Sequence, residues 1–147
     1  FAYGKSIWFQ CESDNKHIFL ISQLGMTGAW FINKTYNRND KHNHLVIEFK
    51  NKKQLIYSDP RMFGNIHYYE ISKKESVSKF KTEIIKKHKW GLDPLQNSTE
   101  SLIKAMTKWT KSQKSIKDLM LNQNIIFGIG NYLASEVLAT VSYTHLT

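Results

Sequence analysis

Near Ser76 the hydrophobic period of this chain changes, and that switch limits the folds open to it. Before it, residues 5–11 (KSIWFQC), 17–24 (HIFLISQL), 27–33 (TGAWFIN), 44–50 (HLVIEFK), 53–58 (KQLIYS) and 64–70 (GNIHYYE) are short runs rich in β-branched and aromatic side chains. Polar turn clusters such as SDNK and NKK separate them. Six short strands with turn-length spacers predict an antiparallel sandwich or barrel and not βαβ units. Pro60 falls in the connection after one strand, where a missing amide does least harm. After the switch, Val77, Phe80, Ile84 and Ile85 recur at helical spacing with lysines opposite, so 76–88 reads as an amphipathic helix. Gly91 and Pro94 break it. Asn97 with Glu100 predicts the cap of a helix carrying Leu102, Ile103, Met106 and Trp109 on one side. Ser115 with Asp118 repeats the signature ahead of Ile116, Leu119 and Met120. A last helix is expected from Asn131, burying Leu133, Val137 and Leu138. The expected class is α+β: a partial antiparallel β-sandwich over 1–72, a helical domain with a helix–two-turn–helix motif over 73–140, and an unassigned tail over 141–147.

Composition narrows the partner. Of 147 residues, 21 are Lys or Arg against 12 acids, a formal charge of +9, which favours a polyanion and ranks nucleic acid ahead of a merely basic protein. Apolar residues at 41% supply a real core. No run reaches the length of a membrane span and no signal segment opens the chain, so a soluble protein is expected. The single cysteine, Cys11, excludes an intramolecular disulfide and a cysteine-rich zinc site within these residues; it reads as a small core residue in a reducing compartment. The chain opens on Phe1 already in strand-like sequence, from which a fragment lacking its N-terminal portion is expected.

Three turns carry chemistry. In Gln23-Leu-Gly-Met-Thr-Gly28, Met26 stands between two glycines at a hairpin tip, either filling a core gap or serving as a flexible apolar wedge for a base step. In Ser58-Asp-Pro-Arg-Met-Phe-Gly64, Arg61 and Phe63 are expected on alternate sides of an extended loop, where they could pair base-edge hydrogen bonding with a stacking plane. The alternative is a core Phe with Arg61 bonded to Asp59. In Asp40-Lys-His-Asn-His44 two histidines at i and i+2 lack a third and fourth metal ligand, so a phosphate contact or a turn hydrogen bond is the better use of His42 and His44.

The fourth turn, Gly128-Ile-Gly-Asn131, lies between two apolar-periodic segments. Two glycines allow close approach of another backbone, and Asn131 can cap the following helix while its N-terminal end faces an anion; the alternative is a plain two-helix corner, in which a C-cap glycine followed by an N-cap asparagine leaves the same letters.

Taken in order, Tyr3-Gly-Lys-Ser, Gln-Leu-Gly-Met-Thr-Gly, Lys-His-Asn-His, Asp-Pro-Arg-Met-Phe-Gly, Gly-Leu-Asp-Pro-Leu, Lys114-Ser-Ile-Lys117 and Gly-Ile-Gly-Asn resemble the formamidopyrimidine-DNA glycosylase and endonuclease VIII family over nearly everything from Gly4 to Leu138. The resemblance implies a bifunctional DNA glycosylase/AP lyase that flips out and excises oxidised bases in base excision repair. It implies that Lys5 and His42 contact phosphate, that Met26, Arg61 and Phe63 fill the void left by the flipped base, and that Lys117 and Asn131 clamp the DNA backbone. Double-stranded damaged DNA is the implied partner of a monomer, in a bacterial cytoplasm or a eukaryotic nucleus. Departures are Gln23 where many members have His, Met62 where one branch has a second Arg, and Asn131-Tyr-Leu133, which is closer to the endonuclease VIII branch. The family's nucleophile, an N-terminal proline followed by a glutamate, has no counterpart in Phe1-Ala2, so no catalytic residue is assigned. No cofactor is expected in this chain; zinc is implied for a C-terminal part of the parent protein. The alternative is a non-catalytic DNA-binding homologue.

Overall fold

The computed structural model describes residues 1–32 and 41–142. Its elements run β1 (Ala2–Tyr3), β2 (Ser6–Glu12), β3 (Lys16–Gln23), β4 (Ala29–Ile32), β5 (Asn43–Glu48), β6 (Gln54–Ser58), β7 (Asn65–Ser72), α1 (Val77–Lys87), α2 (Thr99–Met106), a 3-10 turn (Thr107–Lys111), α3 (Ile116–Met120) and α4 (Asn131–Ser142). They form two compact units, one of Phe1 and Ser6–Glu70, the other of Ala2–Lys5 and the chain from Ile71 onward. The class is α+β with antiparallel sheets. All six anticipated strands form within a few residues of their expected bounds, and the two-residue β1 adds a seventh. Asn33, the expected end of the third run, Asp40 and the tail residues 143–147 lie outside the described residues.

In the first unit β2 pairs antiparallel with β3 from Ser6↔Gln23 to Glu12↔His17, and β7 lies on the other side of β3. The second sheet is ordered β4-β6-β5, with a register shift between Asn43 and Leu45. The sheets meet through Trp30, whose ring lies 4.8 Å from Phe9 and whose Nε1 donates to Ser22 Oγ at 3.1 Å. Alternation along β2 and β3 sends Trp8, Phe19 and Ile21 inward, whereas β6, the middle strand of its sheet, is buried on both faces through Leu55, Ile56 and Tyr57. Each such burial contributes about 1.5–3 kcal/mol of transfer free energy. Cys11, expected inside, is exposed, because β2 changes from buried-alternating to solvent-facing over its last residues.

In the second unit the Ser76 side chain caps α1 by accepting from Lys79 N, and Phe80 and Ile84 are buried as the period requires. The cap of α2 is Ser98 and not Asn97. Ser98 accepts from Ser101 N, while Asn97 Oδ1 is taken by Asp93 N at 2.9 Å in the preceding turn. The helix stops at Met106, so Trp109 is buried from the 3-10 turn and not from the face of α2. Ser115 caps α3 as expected, accepting from Asp118 N at 3.1 Å and donating to Asp118 Oδ2 at 2.7 Å. Trp109, Leu119, Met120, Ile126 and Ala134 form the core, with Leu138 packed against it. The residue α4 buries fully is therefore Ala134; Leu133 and Val137, expected inside, stay 48% and 40% exposed along a groove. Val141 and Ser142 continue the helix, correcting an expected break at residue 140.

Candidate nucleic-acid interface

The first unit brings two of the marked loops together around one carboxylate. Asp59 is 1% exposed and accepts four hydrogen bonds. Thr27 Oγ1 donates to Oδ1 at 2.5 Å and Arg61 N to the same oxygen at 3.3 Å, while Gly64 N donates to Oδ2 at 2.7 Å and the Tyr57 hydroxyl to it at 3.3 Å. These donors, Thr27 first and Gly64 next, hold its carboxyl down at about 2. The Tyr57 phenol is pushed up, first by burial and then by the Asp59 charge beside it. The Asp59 backbone joins the third segment: its N–H donates to His42 O at 3.0 Å, and its carbonyl meets His44 Nε2 at 2.9 Å. His44 thus takes the turn hydrogen bond that its spacing allowed, and the backbone of His42 is fixed beside the same loop.

Around this anchor the side chains marked in the sequence face outward. Met26 is 73% exposed, so it is the free tip of its hairpin and not a core filler. Gly25 makes that possible: its φ is +63°, and a β-carbon there would lie 2.6 Å from the Phe63 carbonyl carbon, so hairpin and loop touch backbone to backbone. Phe63 is 56% exposed. Arg61 and Phe63 do not lie on alternate sides as expected. The positive φ of Met62 turns the loop so that the Arg61 guanidinium carbon sits 4.6 Å from the Phe63 ring centre. Met26, Arg61 and Phe63 therefore project from loops that touch.

In the second unit the Gly128–Asn131 turn is fastened from inside. Gln123 Nε2 donates to Leu121 O at 2.8 Å and Ile129 O at 2.7 Å, and its Oε1 accepts from Gly128 N at 3.1 Å. Gly128 has φ +140°, a conformation closed to most side chains. Asn131 is the first helical residue and not the cap. Gly130 O accepts the first helical bond, from Ala134 N at 2.9 Å, which leaves the Asn131 side chain exposed at the start of α4. Lys5 reaches this corner: a β-carbon on Gly130 would be 3.5 Å from Lys5 Nζ. Partial burial lowers the Lys5 ammonium below its ordinary value. Lys117 Nζ donates to Ser135 Oγ at 3.2 Å, one turn along α4 from Asn131. The segment before Lys5 is pinned by Gly4 N donating to Asp93 Oδ2 at 2.8 Å and by the Tyr3 hydroxyl donating to Gly91 O at 2.8 Å.

The marked residues thus fall into two sets, Met26, His42, Arg61 and Phe63 in one unit and Lys5, Lys117 and Asn131 in the other. Asp59 and Gln123 were not singled out in the sequence as site residues. The Asp-Pro step of an Asx-type turn was a usable signal for the first, whereas nothing local marked the second. Among the described residues no group of three or more His, Cys, Asp or Glu is placed to hold a metal, and the one cysteine cannot build a ribbon site. Among the described residues no helix is long and apolar enough to cross a membrane.

A β unit presenting an exposed Met beside an Arg–Phe pair, with a helix–two-turn–helix unit holding a lysine over its turn, has counterparts among proteins that act on DNA. Residues 2–66 match the family model described as formamidopyrimidine-DNA glycosylase N-terminal domain. The formamidopyrimidine-DNA glycosylase of Ureaplasma parvum is 39% identical over 125 residues, 84% of this chain and 42% of that protein. A crystal structure of Lactococcus lactis formamidopyrimidine-DNA glycosylase bound non-covalently to DNA containing an AP site superposes with a TM-score of 0.72 at 31% identity, over 94% of this chain and 48% of that one. A structure of MutM in complex with carbocyclic 8-oxo-G-containing DNA gives 0.71 at 31% identity, with the same coverage. By these matches the chain resembles formamidopyrimidine-DNA glycosylases over most of its own length. It spans less than half the length of these relatives.

Proposed function

We propose that this chain is the damaged-DNA-binding segment of a bifunctional DNA glycosylase/AP lyase of base excision repair. The observation that carries the reading is the exposed Met26 beside the stacked Arg61–Phe63 pair, both held on Asp59. An apolar tip and a planar cation–aromatic pair fit the space left when a nucleotide leaves a duplex: Met26 and Phe63 replace lost stacking and Arg61 offers donors to the orphaned base. In this reading residues 1–72 are part of the β-sandwich catalytic domain and 73–140 the DNA-clamping domain, with Lys5, His42, Lys117 and Asn131 on phosphates. The net charge of +9 suits that partner. That similar glycosylases are bound to DNA containing an AP site and to DNA containing carbocyclic 8-oxo-G supports damaged duplex as the ligand. The parent protein would act as a monomer where chromosomal DNA lies and would carry its zinc outside this chain.

Two measurements test this. A titration at fixed salt should show tighter binding to a duplex with one abasic-site analogue than to the same duplex intact; equal affinities refute the reading. Borohydride trapping on abasic DNA should capture no covalent adduct, since no residue here is assigned as the amine nucleophile. A trapped adduct would place the nucleophile within these 147 residues.

A further inference from the structure

We propose that Asp59 is a positioning residue whose buried carboxylate locks the Met26 hairpin and the Arg61–Phe63 loop into a single wedge, and that this lock sets the preference for damaged over intact duplex. The inference rests on the damaged-duplex reading above and adds a residue and a contact that carry it. A carboxylate only accepts, and Asp59 meets four donors from three segments, the hairpin, the end of β6 and its own loop. Three of these would suffice to shape the Asp-Pro loop. The shortest, from Thr27, is different: it reaches back 32 residues to a hairpin whose tip buries nothing. Fixing an exposed methionine adds little to the core. It does fix where Met26 stands relative to Phe63, and the backbone contact of Gly25 with Phe63 leaves no slack between them. A wedge assembled before it meets DNA avoids ordering two loops during insertion, which favours the complex that needs all three side chains at once.

Thr27→Val removes the hydroxyl at nearly constant shape and leaves Asp59 three donors, so neither a cavity nor a bare buried charge is created. The full chain and its T27V and T27S forms are titrated with a duplex carrying a tetrahydrofuran abasic-site analogue and with the matched intact duplex. The dissociation constant for intact duplex divided by that for abasic duplex is the ratio expected to fall about tenfold in T27V, the scale of one lost charge-assisted hydrogen bond, and to return in T27S. A purely structural role would lower the folded fraction and weaken both duplexes alike, leaving the ratio in place. Should T27V fail to fold, Asp59→Asn decides the matter: Oδ1 of the amide can serve Gly64 N, but its NH2 then faces the Arg61 N–H, and the ratio should fall likewise. A wild-type ratio above one with no change in the variants overturns the lock alone. A wild-type ratio of one overturns the damaged-duplex reading and the lock with it.

Discussion

The guanidinium of Arg61 stacks on the ring of Phe63, its central carbon 4.6 Å from the ring centre, and both side chains face solvent. Two residues that spend a stacking contact on each other outside the core are held ready for something else. Phe63→Ala should therefore cost little stability, within about 0.5 kcal/mol, because the ring is already half exposed. It should lower affinity for abasic duplex about tenfold, since the substitution removes a base-stacking plane and frees the guanidinium. A thermal melt and a titration on the same preparation separate the two effects.

Gln123→Leu should act in the opposite sense. Three hydrogen bonds to the turn disappear, and the Leu121 and Ile129 carbonyls and the Gly128 amide lose their partner. A loss of about 2 kcal/mol in unfolding free energy is expected, read from urea midpoints. If the turn clamps the DNA backbone as proposed, binding to abasic and intact duplexes should weaken together, since backbone contacts read no damage.

Lys5→Ala and Asn131→Ala test the corner directly. If Lys5 contacts a phosphate, its removal should reduce the slope of log affinity against log salt by about 1. Asn131→Ala should weaken both duplexes several-fold and leave the slope nearly unchanged, because an amide releases no counterion. Unchanged binding in N131A would remove Asn131 from the clamp.

The Asp59 carboxyl gives a pH signature. Its folded value, about 2, lies below the ordinary 3.8, so its hydrogen bonds stabilise the fold fully above 3.8 and fade as pH falls through about 2. Wild type and Asp59→Asn should differ in urea midpoint by a constant amount from neutral pH to about 5, and the gap should narrow below pH 4. A gap that stays constant to pH 2 would mean that the charge of Asp59 is not what holds the loops.

Much of this was legible in the sequence because much of it is local. Strands follow runs such as HIFLISQL, and the Ser76 and Ser115 caps follow from side chains bonding amides three residues on. Asn97 misled because it had a competing local partner in Asp93. Trp109 misled because a helical period does not reveal where an α-helix tightens into a 3-10 turn. Ala134, and not Leu133 or Val137, is the buried side of α4, in one cluster with Trp109, Leu119, Met120 and Ile126, and a helical period alone does not say which of its faces meets that core. Asp59 has a local signal in its bonds to Arg61 N and Gly64 N, but its tie to Thr27, 32 residues back, follows no spacing rule, and Gln123 bonds its near neighbours with no residue type to mark it. Spacing is silent too on Arg61 and Phe63, whose meeting depends on the positive φ of Met62 between them.

Lys5 precedes all of the first unit but Phe1 in sequence yet sits over Gly130, and its segment is tied down through Tyr3–Gly91 and Gly4–Asp93 bonds across separations of 88 and 89 residues. The helical unit therefore cannot complete its cationic corner from contiguous sequence. Such closures come late in folding, after local helices have formed, because a long loop must close before any contact rewards it. A nascent chain would hold an incomplete grip until the stretch around Lys5 meets Gly130, so the corner is armed only after everything between those two residues has been made.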